Sequence, residues 1–388
     1  MVLAIKYLLK ICIFWGLHVL YIFPIQKRFV YFTAFSGKHV CCNPKYIYEY
    51  MQKQCLPYRY VWCSENKDGI TEKNVIFVRA NSFKSIYYSL VAGIFITNNQ
   101  VPDYIPFRKR QMIIETWHGG GIYKKDGYGD ASHYRYSVTS FLGKRKRERL
   151  HYFISSSRLF TKYGLNDFCL EEKKFVPYGM PRNDIFFNKK KIKATYEKVR
   201  TLYGIDENKF IVMYAPTFRG DACSAVFDFS LDVERIADAV QKRFNKETVF
   251  LLRGHHSFGM SGISMDKENT VNVSDYPDMQ ELICAADMLI TDYSSTLWDW
   301  SLTLKPAFLF VPDMDIYISD RGTYMPIADW GFPFAKTNVT LCEKITSFDE
   351  DLFSRNMHKH HKELGCYEDG HASGRIVHDI VEYIEGAS

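Results

Sequence analysis

Short apolar runs recur along the chain and alternate with segments in which apolar residues have helical spacing. The run at 288–291, MLIT, is bounded by acids and is too short for a helix, which is typical of a buried parallel strand. Further strands are predicted at 29–35, 75–78, 93–97, 112–116, within 150–157, and at 174–178, 210–214, 248–252 and 270–273. Because predicted helices such as 82–90 and 229–244 lie between the strands, the pattern predicts an α/β fold with parallel sheets.

A chain of 388 residues is too long for one ordinary core, so two domains are expected. The Lys-rich helix that begins at 189 is a plausible linker. We predict an apolar membrane-associated segment over 1–26, one Rossmann-like domain over 27–190 and a second over 191–388. The last helix is able to pack back on the N-terminal domain.

The first 26 residues are strongly apolar, with an uncharged run over 11–23. The run is shorter than the roughly 20 residues needed to span a bilayer, and no signal-peptide cleavage pattern follows it. Trp15, His18 and Tyr21 place polar tips among the aliphatic side chains, as in a helix that lies in a membrane interface. We therefore predict a membrane-surface helix, with a buried core helix and a true anchor as alternatives.

The charges are distributed unevenly. Residues 1–194 hold 32 Lys and Arg against 13 Asp and Glu, a net charge of +19, whereas residues 195–388 hold 18 against 31, a net charge of −13. This asymmetry predicts that the N-terminal half faces an anionic partner, such as a membrane surface or a phosphate-bearing substrate. Nucleic acid is disfavoured, because no nucleic-acid-binding module is recognised. The ten cysteines form no regular framework, which indicates reduced thiols in a cytosolic protein.

A histidine and three glycines follow the predicted strand at 112–116. The glycines after His118 give backbone freedom and allow another molecule to approach closely. An imidazole at the end of a strand, beside open space, is suited to take a proton from a hydroxyl group. The alternative is a packed histidine followed by a flexible loop.

Four successive strand ends in the C-terminal half carry side chains that suit an anionic ligand. They are Thr217 and Arg219, Arg253 and His255, Tyr276 and Asp278, and Asp292 with Ser294 and Ser295. Such ends meet at one edge of a parallel sheet, where α/β folds bind ligands. The two serines also precede a predicted helix, so they either form part of a phosphate site or only cap the helix. Two Rossmann-like halves around a cleft describe the GT-B architecture.

Several segments, in order over roughly 28–380, together resemble the CDP-glycerol glycerophosphotransferase family of teichoic acid and capsule synthesis. They are FSGKHVCCNPKYIYEY at 35–50, ETWHGG at 115–120, YGMPRND at 178–184, YAPTFR at 214–219, RGH at 253–255, YPDMQELICAADMLITDYSS at 276–295 and EDGHASGRIV at 368–377. The chain is more similar in length to the short, primase-like members than to the long polymerases.

The resemblance implies a GT-B enzyme that is peripheral (monotopic) at the cytoplasmic face of the cell membrane. Such an enzyme transfers glycerol phosphate from CDP-glycerol to a lipid-linked glycan or polyol-phosphate acceptor and releases CMP. Residues 27–190 would then form the acceptor domain and residues 191–388 the CDP-polyol donor domain. The implied partners are a CDP-polyol donor, a lipid-linked acceptor and an anionic membrane surface, and the chemistry requires no metal or other cofactor.

The resemblance also assigns roles to residues. His118 matches the family histidine proposed as general base on the acceptor hydroxyl, and His255 matches the second family histidine, which can stabilise the leaving CMP. The predicted substrate-binding residues are Gly119, Gly120, Thr217, Arg219, Arg253, Asp278, Asp292, Ser294 and Ser295.

The histidines at 358, 360 and 361 could suggest a metal site, but no Cys or carboxylate completes such a site at ligand spacing. These histidines are therefore expected on an exposed helix face.

One departure from the family pattern concerns the acceptor side. The family usually has Gly-Thr-Pro-Leu-Lys after the first histidine, whereas this chain has Gly-Gly-Gly-Ile-Tyr-Lys at 119–124, so this loop is expected to be reshaped. Ribitol phosphate or another polyol phosphate stays open as the transferred unit. A GT-B glycosyltransferase that uses a nucleotide sugar and a non-catalytic membrane-associated scaffold are the alternative functions.

Overall fold

The computed structural model describes residues 2–125, 140–217, 231–254 and 269–386. The chain forms two compact units. Unit 1 comprises the described parts of Met1–His118, Gly127–Asp184 and Tyr367–Ser388, and unit 2 comprises those of Gly119–Asp126 and Ile185–Cys366. The chain therefore passes from unit 1 to unit 2 directly after His118.

Unit 1 contains, among its described residues, a parallel sheet of seven strands in the order β3-β2-β1-β4-β5-β6-β7. The strands are β1 (Gln26–Thr33), β2 (Arg59–Cys63), β3 (Val75–Val78), β4 (Ala92–Thr97), β5 (Met112–Glu115), β6 (Tyr152–Ile154) and β7 (Phe175–Val176). The strand order reverses between β1 and β4, which is the switch point of a Rossmann-like sheet.

The helices of unit 1 connect these strands. They are α1 (Val2–Gly16), a 3-10 helix (Leu17–Ile22), α2 (Cys42–Lys53), α3 (Phe83–Val91), α4 (Phe141–Arg149), α5 (Arg158–Asp167), and short 3-10 helices at Glu172–Lys174 and Pro181–Phe187, the last of which runs into unit 2. Serine side chains accept a backbone hydrogen bond at the N-termini of α3, α4 and α5, as expected for N-cap residues.

Unit 2 has a parallel sheet of six strands, among the residues described there, in the order β10-β9-β8-β11-β12-β13. The strands are β8 (Phe210–Tyr214), β9 (Thr248–Leu252), β10 (Thr270–Asn272), β11 (Met288–Thr291), β12 (Ala307–Phe310) and β13 (Phe334–Ala335). This is again a Rossmann order, and its switch point lies between β8 and β11.

The helices of unit 2 are α6 (Lys189–Tyr203), α7 (Val233–Phe244), α8 (Met279–Ala285), α9 (Thr296–Ser301), α10 (Met314–Asp320), a 3-10 helix (Ile327–Trp330), α11 (Asn338–Thr346) and α12 (Glu350–Leu364). The chain then returns to unit 1, where α13 (Ala372–Gly386) packs against α2.

One strand at each switch point is buried along its whole length, which explains its nearly continuous apolar sequence. All residues of β4 in unit 1 and of β11 in unit 2 are buried. Helices cover both faces of such a sheet, so neither face of the strand reaches water. Polar side chains at these positions therefore occur where the strands end.

Several of the predicted elements differ in extent from the structure, most of them by one or two residues at an end. The first strand was predicted over 29–35, but β1 ends at Thr33, because Phe35 and Ser36 adopt left-handed backbone angles that leave the sheet. The helix predicted over 229–244 begins at Val233 among the described residues, with Asp232 as its N-cap.

A buried carboxyl group lies at the end of β5. Burial raises the pKa of Glu115 to about 7, and the positive charge of Lys146 on α4 opposes this rise. Burial likewise lowers the pKa of Lys146, against the influence of Glu115. The two groups are therefore partners in a weakly hydrated part of unit 1, close to the strand end that carries His118.

We expect the substitution Glu115→Gln to flatten the dependence of stability on pH. Because the pKa of this carboxyl group is raised in the folded state, its contribution to stability is present at low pH and is lost as the pH rises through about 7. The loss amounts to about 3 kcal/mol. Urea unfolding at about pH 5 and about pH 8 measures it. The exposed Glu148, changed to Gln, is the control, and equal pH dependence in wild type and Glu115→Gln would contradict the assignment.

Candidate functional site

His118 follows β5 and is partly exposed. Its Nδ1 atom lies 2.8 Å from the backbone carbonyl oxygen of Asn98, which follows β4. Because a carbonyl oxygen only accepts hydrogen bonds, Nδ1 carries the proton, and the neutral ring has its lone pair on Nε2. This is the tautomer that a general base needs if a substrate hydroxyl approaches Nε2.

The imidazole of His118 lies between two aromatic rings. The ring of Trp117 is 4.3 Å away and tilted by 33°, and the ring of Phe35 is 5.4 Å away in an edge arrangement. These contacts limit the rotation of the imidazole. The His118 side chain is therefore packed against other residues, which was one of the two interpretations of the sequence. Part of the residue is nevertheless exposed to solvent.

Buried polar side chains hold the backbone on either side of the imidazole. Trp117 has a left-handed φ of +55°, which is costly for a residue with a large side chain. The Asn43 amide donates hydrogen bonds to the carbonyl oxygens of Thr116, at 3.2 Å, and Trp117, at 2.9 Å. Arg182 donates from Nη1 to the carbonyl oxygen of His118 at 2.6 Å. Three successive carbonyl groups are therefore fixed, and with them the direction of the imidazole.

The same network connects to two further segments of unit 1. The Oδ1 atom of Asn43 accepts a hydrogen bond from the backbone N–H of Arg182 at 3.1 Å. The Glu368 carboxylate accepts from the N–H of Met180 at 2.8 Å and from the side chain of Asn183 at 3.0 Å. The segments at 35–50, 178–184 and 368–377 thus meet in one network. The sequence marked all three as motifs but gave none of these residues a role.

The glycine segment after His118 belongs to unit 2 and is buried there. A Cβ atom on Gly120 would lie 2.0 Å from Cδ1 of Trp298, and one on Gly121 would lie 2.6 Å from the ring of Tyr123. Trp298 is part of α9. Gly119 and Gly120 were predicted to contact substrate, but the structure shows Gly120 in close packing with the Trp298 indole.

Tyr123 anchors this segment within unit 2. Its hydroxyl group lies 3.0 Å from Nε2 of His360, and its ring packs on Trp330 at 4.8 Å. Burial, together with the neighbouring His361, lowers the pKa of His360 to about 4, so His360 is neutral at neutral pH. The backbone of Tyr123 also accepts a hydrogen bond from the N–H of Tyr324 at 3.1 Å.

The expectation that the α12 histidines lie on an exposed helix face was wrong for two of the three. His360 is buried, because it shares the inward face of α12 with Phe353, Met357 and Leu364 at helical spacing. His361 is partly buried, and its Nε2 atom lies 2.7 Å from the Ser301 hydroxyl. Only His358 is exposed among these three.

In unit 2, Asp292 connects the strands on either side of the switch point. It follows β11 and is almost fully buried. Its carboxylate accepts hydrogen bonds from the N–H of Thr217, at 2.9 and 3.1 Å, and from the Thr217 hydroxyl at 2.9 Å. It also accepts from the N–H of Tyr293 at 2.6 Å. The structure thus brings together two predicted site residues, with Asp292 holding the end of β8 in place.

The two serines that follow Asp292 have different environments. The Oγ atom of Ser294 accepts a hydrogen bond from the N–H of Thr296 at 3.2 Å and donates to the Thr296 hydroxyl at 3.0 Å, so it caps α9. Within the described part of the chain, the Ser295 side chain makes no capping hydrogen bond. Both serines are partly exposed. The capping interpretation therefore applies to Ser294 and leaves Ser295 for another role.

Arg253 and Asp278 organise the loop between β10 and α8. Arg253 donates from Nη1 to the carbonyl oxygens of Val273, at 2.8 Å, and Tyr276. Asp278 is buried, and its carboxylate caps α8 through the N–H of Gln280 at 3.0 Å. The predicted residues Arg219 and His255 lie outside the described residues.

The sequence contains signals for some of the site residues to which we assigned no role in advance. Asn98 follows the apolar strand β4, so the rule that polar residues at strand ends form sites would have included it. Asn43 and Arg182 lie in recognised motifs, but their function depends on contacts between residues that are 139 and 64 positions apart in the chain. No local pattern predicts such contacts.

We expect Gly120→Ala to destabilise the protein and to reduce its activity. The added methyl group would overlap the Trp298 indole, and overpacking of this kind costs about 1–3 kcal/mol. Only Gly119 separates the altered position from His118, so turnover should fall as well. Thermal unfolding and a turnover assay measure the two effects. Gly16→Ala, where no atom lies within 4 Å of the added methyl group, is the control, and equal behaviour of the two variants would contradict the packing argument.

Residues 17–382 match the family model for CDP-Glycerol:Poly(glycerophosphate) glycerophosphotransferase. The teichoic acid poly(glycerol phosphate) polymerase of Staphylococcus epidermidis is 30% identical over 377 residues, a match that covers 92% of this chain and 52% of the relative. The corresponding enzyme of Bacillus spizizenii is 28% identical over 370 residues, covering 92% of this chain and 93% of the relative. The teichoic acid ribitol-phosphate primase of Bacillus spizizenii is 26% identical over 373 residues, covering 93% and 92%.

The solved structures support the same relationship. A structure of the wall teichoic acid polymerase TagF in a CDPG soak has a TM-score of 0.80 and 28% sequence identity, and the match covers 94% of this chain and 90% of that one. The family predicted from the sequence, the GT-B fold class and the class of enzyme are thereby confirmed. The chain belongs to the CDP-glycerol:poly(glycerophosphate) glycerophosphotransferase family.

Proposed function

We propose that this chain transfers glycerol phosphate, or a related polyol phosphate, from CDP-glycerol to a lipid-linked glycan or polyol-phosphate acceptor in teichoic acid or capsule synthesis. CMP is the other product. The observation that carries the proposal is the network around His118, because it is built from the segments on which the family resemblance rests. It presents an imidazole whose lone pair is on Nε2, as deprotonation of an acceptor hydroxyl requires.

In the proposed reaction the acceptor oxygen attacks the phosphorus atom that carries the glycerol group. The acceptor proton moves to Nε2 of His118 as the new P–O bond forms. The bond between this phosphorus and the bridging oxygen breaks, and that oxygen leaves as part of CMP. Charge on the phosphoryl oxygens and on the leaving group is stabilised by cationic side chains, among which we assign His255 to the leaving phosphate.

We assign the acceptor side to unit 1 and the CDP-polyol donor to unit 2. In unit 2, Thr217, Arg219, Arg253 and the serine turn are the proposed phosphate contacts. The bonds from Thr217 to Asp292 support this assignment, because they fix a hydroxyl-bearing residue at the switch point of the sheet, where α/β folds bind ligands. For Ser294, Asp278 and Asp292 the observed hydrogen bonds support an indirect role, in which these residues position the loops that carry the contacts.

We also propose that unit 1 binds peripherally to the cytoplasmic face of the membrane. Residues Ile5–Ile22 are long and apolar enough for a membrane segment by length and composition. Side chains along α1 and the following 3-10 helix are largely exposed, including Leu8 at 60% and Ile22 at 76%. Exposed apolar surface of this extent, next to the basic helix α4, suits an interfacial helix on an anionic membrane.

The apolar segment is held against unit 1 by specific contacts, which supports surface binding more than insertion as a separate span. Arg108 donates to the carbonyl oxygens of Leu20, at 3.0 Å, and Phe23, at 2.8 Å. The Tyr21 hydroxyl donates to the carbonyl oxygen of Pro106 at 2.5 Å. Lys10 pairs with Asp103 at 2.9 Å.

Incubation of the full chain with CDP-glycerol, CDP-ribitol and UDP-sugars, each with a lipid-linked disaccharide, tests the proposed activity. We expect CMP to be released from a CDP-polyol and no nucleotide to be released from UDP-sugars.

His118→Ala should lower turnover by about 10²–10⁴-fold while calorimetry still detects donor binding, since it removes only the base. His255→Ala should weaken both turnover and donor binding.

His358→Ala is the matched control for these variants, because His358 is an exposed histidine of α12. Its activity should equal that of the wild type. Unchanged turnover in His118→Ala would exclude the proposed mechanism, and absence of nucleotide release by the wild type with every donor would favour a scaffold function. Release of UDP or UMP from a UDP-sugar would favour the glycosyltransferase alternative.

Vesicle sedimentation tests the proposed membrane surface. The double variant Leu8→Gln/Leu9→Gln should bind anionic vesicles at least about tenfold more weakly, because each buried leucine side chain contributes about 1.5–3 kcal/mol. Leu202→Gln/Leu352→Gln removes two exposed leucines from unit 2 and is the matched control. Equal vesicle binding by both double variants would show that the α1 surface is not the binding surface.

A further inference from the structure

A cavity of about 270 Å³ lies at the switch point of the unit 1 sheet. Tyr31 and Thr33 of β1, with Phe95 and Thr97 of β4, line its inner part, and α3 covers one side. Cys63 of β2 and the loops that follow β1, β3 and β4 line the rest. Rossmann-like sheets bind ligands in this position, outside the carboxyl ends of the strands where the strand order reverses.

The described lining is uncharged and mixes polar with apolar side chains. Hydroxyl groups and three side-chain amides lie among apolar side chains, and three aromatic rings, those of Tyr31, Phe95 and Tyr104, contribute to the lining. Of the described residues that line the cavity, none is an Asp, Glu, Lys, Arg or His. Such a surface can exchange hydrogen bonds with a polyhydroxylated ligand, but it offers no cation to balance a phosphate group.

Strained backbone surrounds this cavity. Ser36 and Asn81, which line it, and Phe35 next to Ser36 have φ values of +60°, +57° and +45°. Left-handed angles at residues other than glycine cost free energy and concentrate at ligand sites. These angles set the course of the loops that follow β1 and β3 around the cavity.

The hydrogen bonds between side chains of these loops are long. The Tyr104 hydroxyl lies 3.4 Å from Oδ1 of Asn81, and the Asn99 amide lies 3.4 Å from the Ser36 hydroxyl. Deeper in the cavity, the hydroxyl groups of Tyr31 and Ser85 are 2.7 Å apart. Because bonds at 3.4 Å are weak, the groups on the loops can turn to a ligand at little cost.

The cavity shares a chain segment with the proposed base. Thr97, Asn99 and Gln100 line the cavity, and the carbonyl oxygen of Asn98 between them accepts the hydrogen bond from Nδ1 of His118. A ligand bound in the cavity therefore contacts the same segment that orients the imidazole. This places the cavity beside the reacting group of unit 1.

We propose that this cavity, which we name the switch-point pocket, binds an uncharged polyhydroxylated unit of the acceptor, either a sugar ring or a polyol. The inference rests on the proposed function and adds the chemical class that the acceptor presents next to His118. The volume suits one such unit, because pockets for larger, drug-sized ligands measure about 300–1,000 Å³. Charged parts of the acceptor would lie outside the pocket.

The test combines acceptor kinetics with direct binding. The double variant Asn81→Gly/Tyr104→Phe removes one amide and one hydroxyl group, and glycine tolerates the left-handed backbone at position 81. We expect the KM for the lipid-linked acceptor to rise about tenfold, since each neutral hydrogen bond contributes a factor of roughly 2–10. The kcat and the KM for CDP-glycerol should change by less than about twofold, because the variant leaves the transition-state contacts in place.

The matched control is Asn245→Gly/Tyr87→Phe. Asn245 also has a left-handed backbone, with φ of +53°, at the end of α7, and Tyr87 is a partly exposed tyrosine of α3 outside the pocket. The KM of this control variant for the lipid-linked acceptor should equal that of the wild type. An unchanged acceptor KM in the pocket variant, an equal rise in the control, or a matching rise in the KM for CDP-glycerol would overturn the inference.

A binding arm separates failure of this inference from failure of the proposed function. Saturation-transfer NMR with ribitol and with the methyl glycoside of N-acetylglucosamine needs no turnover. We expect binding of at least one of these probes to the wild type and its loss in the pocket variant. Absence of binding by both uncharged probes, or binding that survives in the pocket variant, would overturn the inference even if CMP release is confirmed.

Discussion

The arrangement of unit 1 depends on the hydrogen bonds that hold three successive carbonyl groups around His118. Trp117 adopts a left-handed backbone that its own side chain disfavours, and the buried Asn43 and Arg182 offset that cost with direct bonds. Removal of either side chain would leave buried carbonyl groups without these donors, which is costly. The network therefore explains why segments far apart in sequence are linked to one histidine. It also explains why Glu368, on the segment that returns from unit 2, belongs to the same site.

The same topological rule positions functional groups in both units. Each sheet reverses its strand order once among the described strands, between β1 and β4 in unit 1 and between β8 and β11 in unit 2. In unit 2 the contact between Thr217 and Asp292 joins the two strand ends directly. In unit 1 the two strand ends enclose the switch-point pocket, beside the carbonyl oxygen that orients His118. We assign the hydroxyl-bearing strand end of unit 2 to a phosphate-bearing donor and the uncharged pocket of unit 1 to a polyhydroxylated acceptor.

Much of the fold was predictable because buried parallel strands leave a strong apolar signal, as at 288–291, and because polar residues at strand ends mark the ligand edge. Other features were not. The burial of His360 depends on neighbours that are remote in sequence, and the α12 pattern was misinterpreted because histidine is compatible with either face of a helix. By contrast, the strand β2 carries the same apolar signal, in RYVWC, and was overlooked. The close packing of Gly120 against the Trp298 indole was not predicted either, and the substrate contact of Gly120 stays a prediction. The roles of His118, His255 and the phosphate contacts stay predictions.

The central claim is that the carbonyl oxygen of Asn98 fixes the proton of His118 on Nδ1, so that Nε2 is the basic atom. Long-range ¹H–¹⁵N correlation spectroscopy of the histidine side chains, with His118 assigned by comparison with His118→Ala, measures this directly. The account predicts a protonated Nδ1 and an unprotonated Nε2 for the neutral ring near neutral pH. A spectrum that shows the proton on Nε2 would contradict it.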